Sequence, residues 1–237
     1  RNPHPAAGVA RTGDGSGKRG DEMTDIRRGA AGGARAETSQ EKDTGRIEAF
    51  SDGVFAIAIT LLALELKIPH AVEGGAEGLF RALVAQWPAY ISFVTSFCTI
   101  LIMWGNHHEV FRLVRQANTG FMLANGFLLM LVTVVPFTTA LISGYLNRPG
   151  AAVACAVYGG VFVLISIAYN LLWHAASRGR ALLRSDVPDP VVRKFTRNYR
   201  LGFPLYLLAT AGALVNPFIT IAICTDLWIF WTVTIKR

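Results

Sequence analysis

The chain has 237 residues, 52% of them hydrophobic and only 16% charged, with a net charge of +7. A soluble globular domain carries about one quarter charged residues, so this composition sits badly with one. The positive balance does not point to nucleic acid, because the basic residues form no patch interleaved with aromatics; they lie in short segments beside apolar runs, where a membrane topology signal belongs.

Residues 1–45 are rich in Gly, Ala, Arg, Thr and Ser and nearly free of large apolar side chains. Such a segment buries too little surface to offset its ordering entropy and is expected to be a disordered tail. It holds no apolar core of the kind a secretory signal peptide needs. Met23 is followed by a plausible polar leader, which leaves residues 1–22 open to two readings, added sequence or upstream sequence.

Residues 46–237 are expected to form an all-α membrane domain of six spans. The first apolar run, Ile47–Ile68, has 22 residues and reaches about 33 Å as a helix, enough for a hydrocarbon core of about 30 Å. The next runs are about Leu79–Met103, Gly120–Tyr145 with Pro136 inside it, and Ala151–Ala176. The fifth and sixth, about Leu201–Val215 and Pro217–Ile235, are separated only by Asn216-Pro217 and should form an antiparallel hairpin. Cys98, Cys155 and Cys224 all fall inside these runs without metal-ligand spacing and read as small buried side chains.

Loop charge orients the spans. Lys42 and Arg46, then Arg112 and Arg115, then the stretch Arg178–Arg200, then Lys236-Arg237 all fall on one side of a six-span chain. The other side holds only Lys67, Arg81 and Arg148. The positive-inside rule places both termini in the cytoplasm; the membrane itself is expected to be the cell inner (plasma) membrane.

Span one carries Asp52 near its inner end and Glu65 near its outer end. Between them Gly53, Ile57, Thr60, Leu61 and Leu64 fall on one helical stripe at spacings of three and four. Spacing alone leaves two readings open: a packing face against neighbouring helices, or the lining of a pathway. In Asn106-His107-His108-Glu109 the adjacent histidines point about 100° apart and no third ligand is placed, so a hydrogen-bonded network is expected there rather than a metal site. Ser143-Gly144-Tyr145 lacks the flanking residues of a carbonyl potassium filter. Trp173 and His174 close span four as expected interfacial anchors. Asp226 lies mid-depth in span six, where it would pair inside the bundle or line a water cavity.

The run Arg46-Ile47-Glu48-Ala49-Phe50-Ser51-Asp52-Gly53-Val54-Phe55-Ala56-Ile57-Ala58-Ile59-Thr60 resembles the signature of the transmembrane protein 175 family of potassium channels. Trp104-Gly105-Asn106-His107-His108-Glu109-Val110-Phe111 resembles that family's second conserved pattern, and Asn125 and Pro136-Phe137 also fit. The resemblance is strong over spans one and two and weak over the last three. It implies a homotetramer whose central pore is lined by the first helix of each subunit, closed by bulky apolar side chains instead of a carbonyl filter. By position the constriction is Ile57, Leu61 and Leu64, with Thr60 as the selectivity hydroxyl. Arg46, Phe50, Ser51 and Asp52 would form a structural network with Trp104, Asn106, His107 and His108.

The implied activity is passive conduction of potassium and other monovalent cations across a lipid bilayer, with no cofactor, metal, nucleic-acid partner or enzymatic chemistry. An apolar ring offers no ligand, so modest selectivity is expected, favouring the more easily dehydrated potassium ion. A ring of Glu65 at the outer mouth would concentrate cations. The competing expectation is a proton-coupled transporter using Glu65, Asp52 or Asp226, though neither an inverted repeat nor matched helix breaks are visible.

Overall fold

The computed structural model describes residues 42–69 and 73–235. The expectation for the tail therefore lies outside the described residues up to position 41, as do Lys236 and Arg237. The described residues are all-helical: α1 (Lys42–Glu65), α2 (Gly75–Ala85), α3 (Trp87–Leu113), α4 (Thr119–Tyr145), α5 (Ala151–Ser177), α6 (Asp189–Gly212) and α7 (Pro217–Ile235). Four segments are long and apolar enough to cross a membrane: Lys42–Glu65, Trp87–Leu113, Thr119–Tyr145 and Ala151–Arg180. This is a multi-pass membrane protein.

The helix boundaries differ from the apolar runs in three places. α1 already includes Lys42, the first described residue, inside the stretch assigned to the tail; Thr44 there is buried and its hydroxyl accepts a hydrogen bond from the Ala117 amide at 3.0 Å. The second run begins in α2, a separate amphipathic helix whose first turn follows Gly74 in the left-handed region (φ 95°). None of its residues is buried, and Leu79, Phe80, Leu83 and Val84 are exposed. Gln86 ends it, and Pro88, fitting the first turn of a helix where no amide donor is needed, opens α3. α6 begins at Asp189, three turns before the apolar run, so its charged segment Arg193–Arg200 is helical.

The core is a bundle of α3–α7 in which polar side chains join the helices. The Thr139 hydroxyl of α4 donates to Ser96 of α3 at 2.7 Å, and Ser96 lies 3.2 Å from the Tyr158 hydroxyl of α5. Asn170 of α5 donates to the Tyr199 carbonyl of α6 at 2.8 Å. Gly159 lets α5 approach α6 closely: a Cβ there would lie 2.6 Å from Thr210 Oγ1 and 3.1 Å from Thr210 Cα, the small-residue contact on which membrane helix packing relies. α6 and α7 are joined in the same way, the Thr220 hydroxyl donating to the Ala209 carbonyl at 2.8 Å. Cys155 and Cys224 are buried and Cys98 is half-buried. Trp173 departs from the interfacial role expected of it. Its indole is buried against Phe195 and donates to Thr196 Oγ1 at 2.8 Å, since the helical start of α6 covers it.

The basic segments gather at one end of the bundle. The Arg115 amide donates to the Leu182 carbonyl at 2.8 Å and the Arg184 amide to the Leu113 carbonyl at 2.9 Å, which ties the α3–α4 loop to the α5–α6 connection. The Thr44–Ala117 bond brings the start of α1 to the same end.

Candidate functional site on the first helix

α1 has two chemically different faces. Phe55, Ala58 and Leu62 are almost fully buried, with Ser51 one turn before them. These positions repeat at steps of four, three and four, the stripe a helix presents to one neighbour surface. The opposite stripe, Gly53, Ile57, Thr60, Leu61 and Leu64, is exposed on the protomer. Ile57 is 59% accessible, Leu61 41% and Leu64 70%. Only 22% of the apolar stretch of α1 is buried, against 44–50% for the other three long apolar helices, so α1 lies against the bundle without entering its centre. The Thr60 hydroxyl donates to the Ile57 carbonyl at 2.9 Å, which satisfies its proton within the helix and leaves its oxygen lone pairs on the exposed face.

Besides the Thr44–Ala117 bond, three polar ties hold the inner end of α1. The Trp104 indole of α3 donates to Asp52 Oδ1 at 2.8 Å. His108 Nδ1 lies 2.8 Å from Glu48 Oε1, and its ring stacks on Trp104. The third tie runs through α4. Asn125 Nδ2 donates to Ser51 Oγ at 2.9 Å, and Ser51 Oγ donates to the Ile47 carbonyl at 2.8 Å. Because the Asn125 amide nitrogen is used as a donor toward Ser51, its oxygen is the acceptor toward His107 Nε2, 2.8 Å away. That assigns the proton of His107 to Nε2. The His107 ring is fully buried, 5.2 Å from Phe55 and 4.5 Å from Phe111 between ring centres.

Ser51, Asp52, Trp104, His107 and His108 are thus brought together. Arg46 and Phe50 are exposed and stand outside the ties, Phe50 at 68%. Asn106 also stands apart: its amide nitrogen donates to the Ile102 carbonyl of its own helix at 3.0 Å, and its oxygen has no protein partner. Two residues of the ties were not among the expected site residues. Glu48 sits one turn before Asp52 on the same face, a spacing that could have revealed it. Asn125 was noticed only as a family match, because nothing in the sequence aims an α4 side chain at Ser51.

Glu65 ends α1 in a groove of about 440 Å³ at the other end of the bundle, shared with Lys67, Gln86, Asn147 and Arg148. Two cationic residues, Lys67 and Arg148, therefore line the same groove as the carboxylate. Asp226 is exposed on α7 beside Ala222 and Ile229, with no hydrogen bond or ion pair to another described residue. Asn106, Ser166 and Tyr199 line a cavity of about 30 Å³ between α3, α5, α6 and α7, and Asn106 Oδ1, Ser166 Oγ and the Tyr199 hydroxyl all lack a protein partner.

This arrangement can be set against known proteins. The family model described as endosomal/lysosomal potassium channel TMEM175 matches residues 46–136, which span α1, its ties to α3 and α4, and the first part of α4. A potassium channel of Chamaesiphon minutus is 46% identical over 195 residues, covering 82% of this chain and 96% of that protein. The chain belongs to the TMEM175 family. A potassium channel of Streptomyces collinus is 44% identical over 181 residues, covering 76% of this chain and 87% of that protein. The crystal structure of a lysosomal potassium-selective channel TMEM175 homolog from Chamaesiphon minutus superposes with a TM-score of 0.75 at 45% identity, covering 83% of this chain and all of that one. The TMEM175 fold thus extends over α5–α7, where the sequence signature is weak. The family is one of channels, not of enzymes.

Proposed function

We propose that this chain is a potassium-permeable monovalent cation channel in which four copies bring α1 together around a common axis. Each copy would contribute six membrane spans, namely α1, α3, α4, α5, the apolar part of α6, and α7, with both termini in the cytoplasm of a plasma membrane. The observation that carries the reading is the exposure of Ile57, Leu61 and Leu64 opposite a face fixed by hydrogen bonds. One helix cannot enclose a pore, so a pathway along this stripe needs several subunits. The potassium-channel relatives, matched over most of their own length, support the assignment of the ion, and the gathering of the basic segments at one end supports the orientation.

A ring of Ile57, Leu61 and Leu64 side chains expels water, and an ion passes only by shedding hydration, which costs least for the larger monovalent cation. Thr60, with its oxygen on the same face, offers the one polar contact between the rings. Asp52 is occupied by Trp104, so its role is to fix the helix, and Glu65 stands at the outer mouth.

The test is potassium flux in proteoliposomes under a defined gradient. Ile57→Asn and Leu61→Asn should raise the rate at least about tenfold and reduce discrimination against sodium, while Leu123→Asn on the exposed face of α4 should not. Unchanged flux and selectivity in both α1 variants would remove the pore from α1. Uptake against a potassium gradient, driven by a pH difference, would replace the channel by a coupled transporter.

A further inference from the structure

The charged start of α6 carries Arg193, Arg197 and Arg200 at steps of four and three, which sets them on one face of the helix. All three are exposed, and none has a hydrogen bond or ion pair with another described residue. Other arginines at this end do: Arg112 with Glu109, Arg180 with Asp189 and Arg184 with Asp186. Three unpaired guanidinium groups along one helical face repel one another, an arrangement that an external anion stabilises.

The surface around them changes character along the helix. Val192, Arg193, Thr196, Arg197, Arg200 and Leu201 line a groove of about 380 Å³. At Arg200 it meets a second groove of about 320 Å³, lined by Ile167, Asn170, Leu171, Arg200 and Phe203. Asn170 holds the floor of the second groove together through its bond to the Tyr199 carbonyl. Over ten residues of α6, about 15 Å, a cationic trough passes into an apolar one between α5 and α6, with Arg200 at the junction. Leu201 begins the apolar part of α6, so the junction falls where a membrane helix leaves the hydrocarbon.

We propose that this α5–α6 face binds an anionic phospholipid, its phosphate held by Arg193, Arg197 and Arg200 and one acyl chain lying along Leu171 and Phe203. The planar guanidinium fork matches phosphate oxygens in pairs. A soluble anion would use only the first groove; the continuity of the two grooves through a shared arginine favours a ligand that is charged at one end and apolar at the other. The site lies on helices α5 and α6, apart from α1, and does not depend on the pore assignment.

The test is native mass spectrometry of the full chain in detergent with equal amounts of phosphatidylglycerol and phosphatidylcholine of the same acyl length. The wild type should retain phosphatidylglycerol in clear preference. Each arginine removed should lower that preference about fivefold, and Arg193→Gln/Arg197→Gln/Arg200→Gln about a hundredfold, while Lys67→Gln/Arg148→Gln at the opposite end should leave it intact. Phe203→Ser should weaken retention of the phosphatidylglycerol that the arginines still select. Equal retention of the two lipids by the wild type, or an unchanged preference in the folded triple variant, overturns the proposal. So does displacement of the lipid by millimolar inorganic phosphate, which would make the trough a soluble-anion site. If the triple variant does not fold, the wild type at low and high salt decides: the preference should fall with salt, and a salt-independent preference overturns the proposal.

Discussion

Asn125→Ala removes the residue through which α4 holds α1. The side chain is almost fully buried and makes two hydrogen bonds, to Ser51 at 2.9 Å and to His107 at 2.8 Å. Hydrogen bonds between membrane helices average about 0.6 kcal/mol and reach about 1.7, so two bonds contribute about 1–3 kcal/mol. The substitution also leaves the His107 Nε2 proton buried without an acceptor, a penalty of about 1–3 kcal/mol. Ser51 loses less, because its own proton still goes to the Ile47 carbonyl. The expected total is about 2–6 kcal/mol, read as a shift in reversible unfolding when the protein is titrated from a mild detergent into a denaturing one. Pairing Asn125→Ala with Ser51→Ala in a double-mutant cycle should return a coupling of about 0.6–1.7 kcal/mol. Additive effects, or a loss no larger than that of the exposed Leu123→Ala on the same helix, would refute the geometry of this tie.

Four further outcomes follow from the packing and the charges. Gly159→Ala places a methyl group against the Thr210 backbone and should cost about 1–3 kcal/mol by overpacking, measurable in the same unfolding titration. Tyr199→Phe removes a hydroxyl with no protein partner and should change stability by less than about 0.5 kcal/mol, whereas Tyr169→Phe removes the donor to the Met103 carbonyl at 2.6 Å and should cost about 1 kcal/mol or more. Glu65→Gln should lower potassium flux about twofold or less at low ionic strength, because Lys67 and Arg148 share the groove, and the difference should disappear near 1 M salt.

The stripe Gly53, Ile57, Thr60, Leu61 and Leu64 was legible because a 3.6-residue period sets it apart from Phe55, Ala58 and Leu62, but that period alone did not say which of the two faces the bundle covers. Asp52 with Trp104, and Ser51 with His107, were named together only through the family resemblance, since pairing across 52 residues of sequence leaves no local trace. For the same reason Asn125 was missed as a member. The boundaries failed where hydropathy and helicity diverge. A helix leaving the bilayer keeps its hydrogen bonds while its side chains turn polar, as in α6 from Asp189. A continuous apolar run can contain a break, as at Gln86 between α2 and α3, where the informative residue was Pro88 and not the hydrophobicity around it.

The polar ties are confined to one end of α1. Glu48, Ser51 and Asp52 occupy little more than one helical turn, and each bonds to a different partner: His108, Asn125 and Trp104. Beyond them the helix is held by apolar contacts, chiefly at Phe55, Ala58 and Leu62 with Val54 and Ile59 beside them, and its last four residues tighten into a 3₁₀ turn, Leu62–Glu65. Directional bonds fix rotation about the helix axis, and apolar contacts tolerate sliding; the clamp therefore sets which stripe faces away from the bundle, and the packing below it sets only the distance. Since adjacent positions on a helix are separated by about 100°, a rotation of half that angle would bring Ala56 as far onto the outward stripe as Ile57. Asp52→Ala combined with Ser51→Ala removes two of these ties, leaving those of Thr44 and Glu48, without altering any side chain of the outward stripe. If the clamp sets the constriction, this double variant should change selectivity between potassium and sodium while the protein remains assembled and folded; selectivity identical to wild type, with flux intact, would reduce the clamp to a folding element.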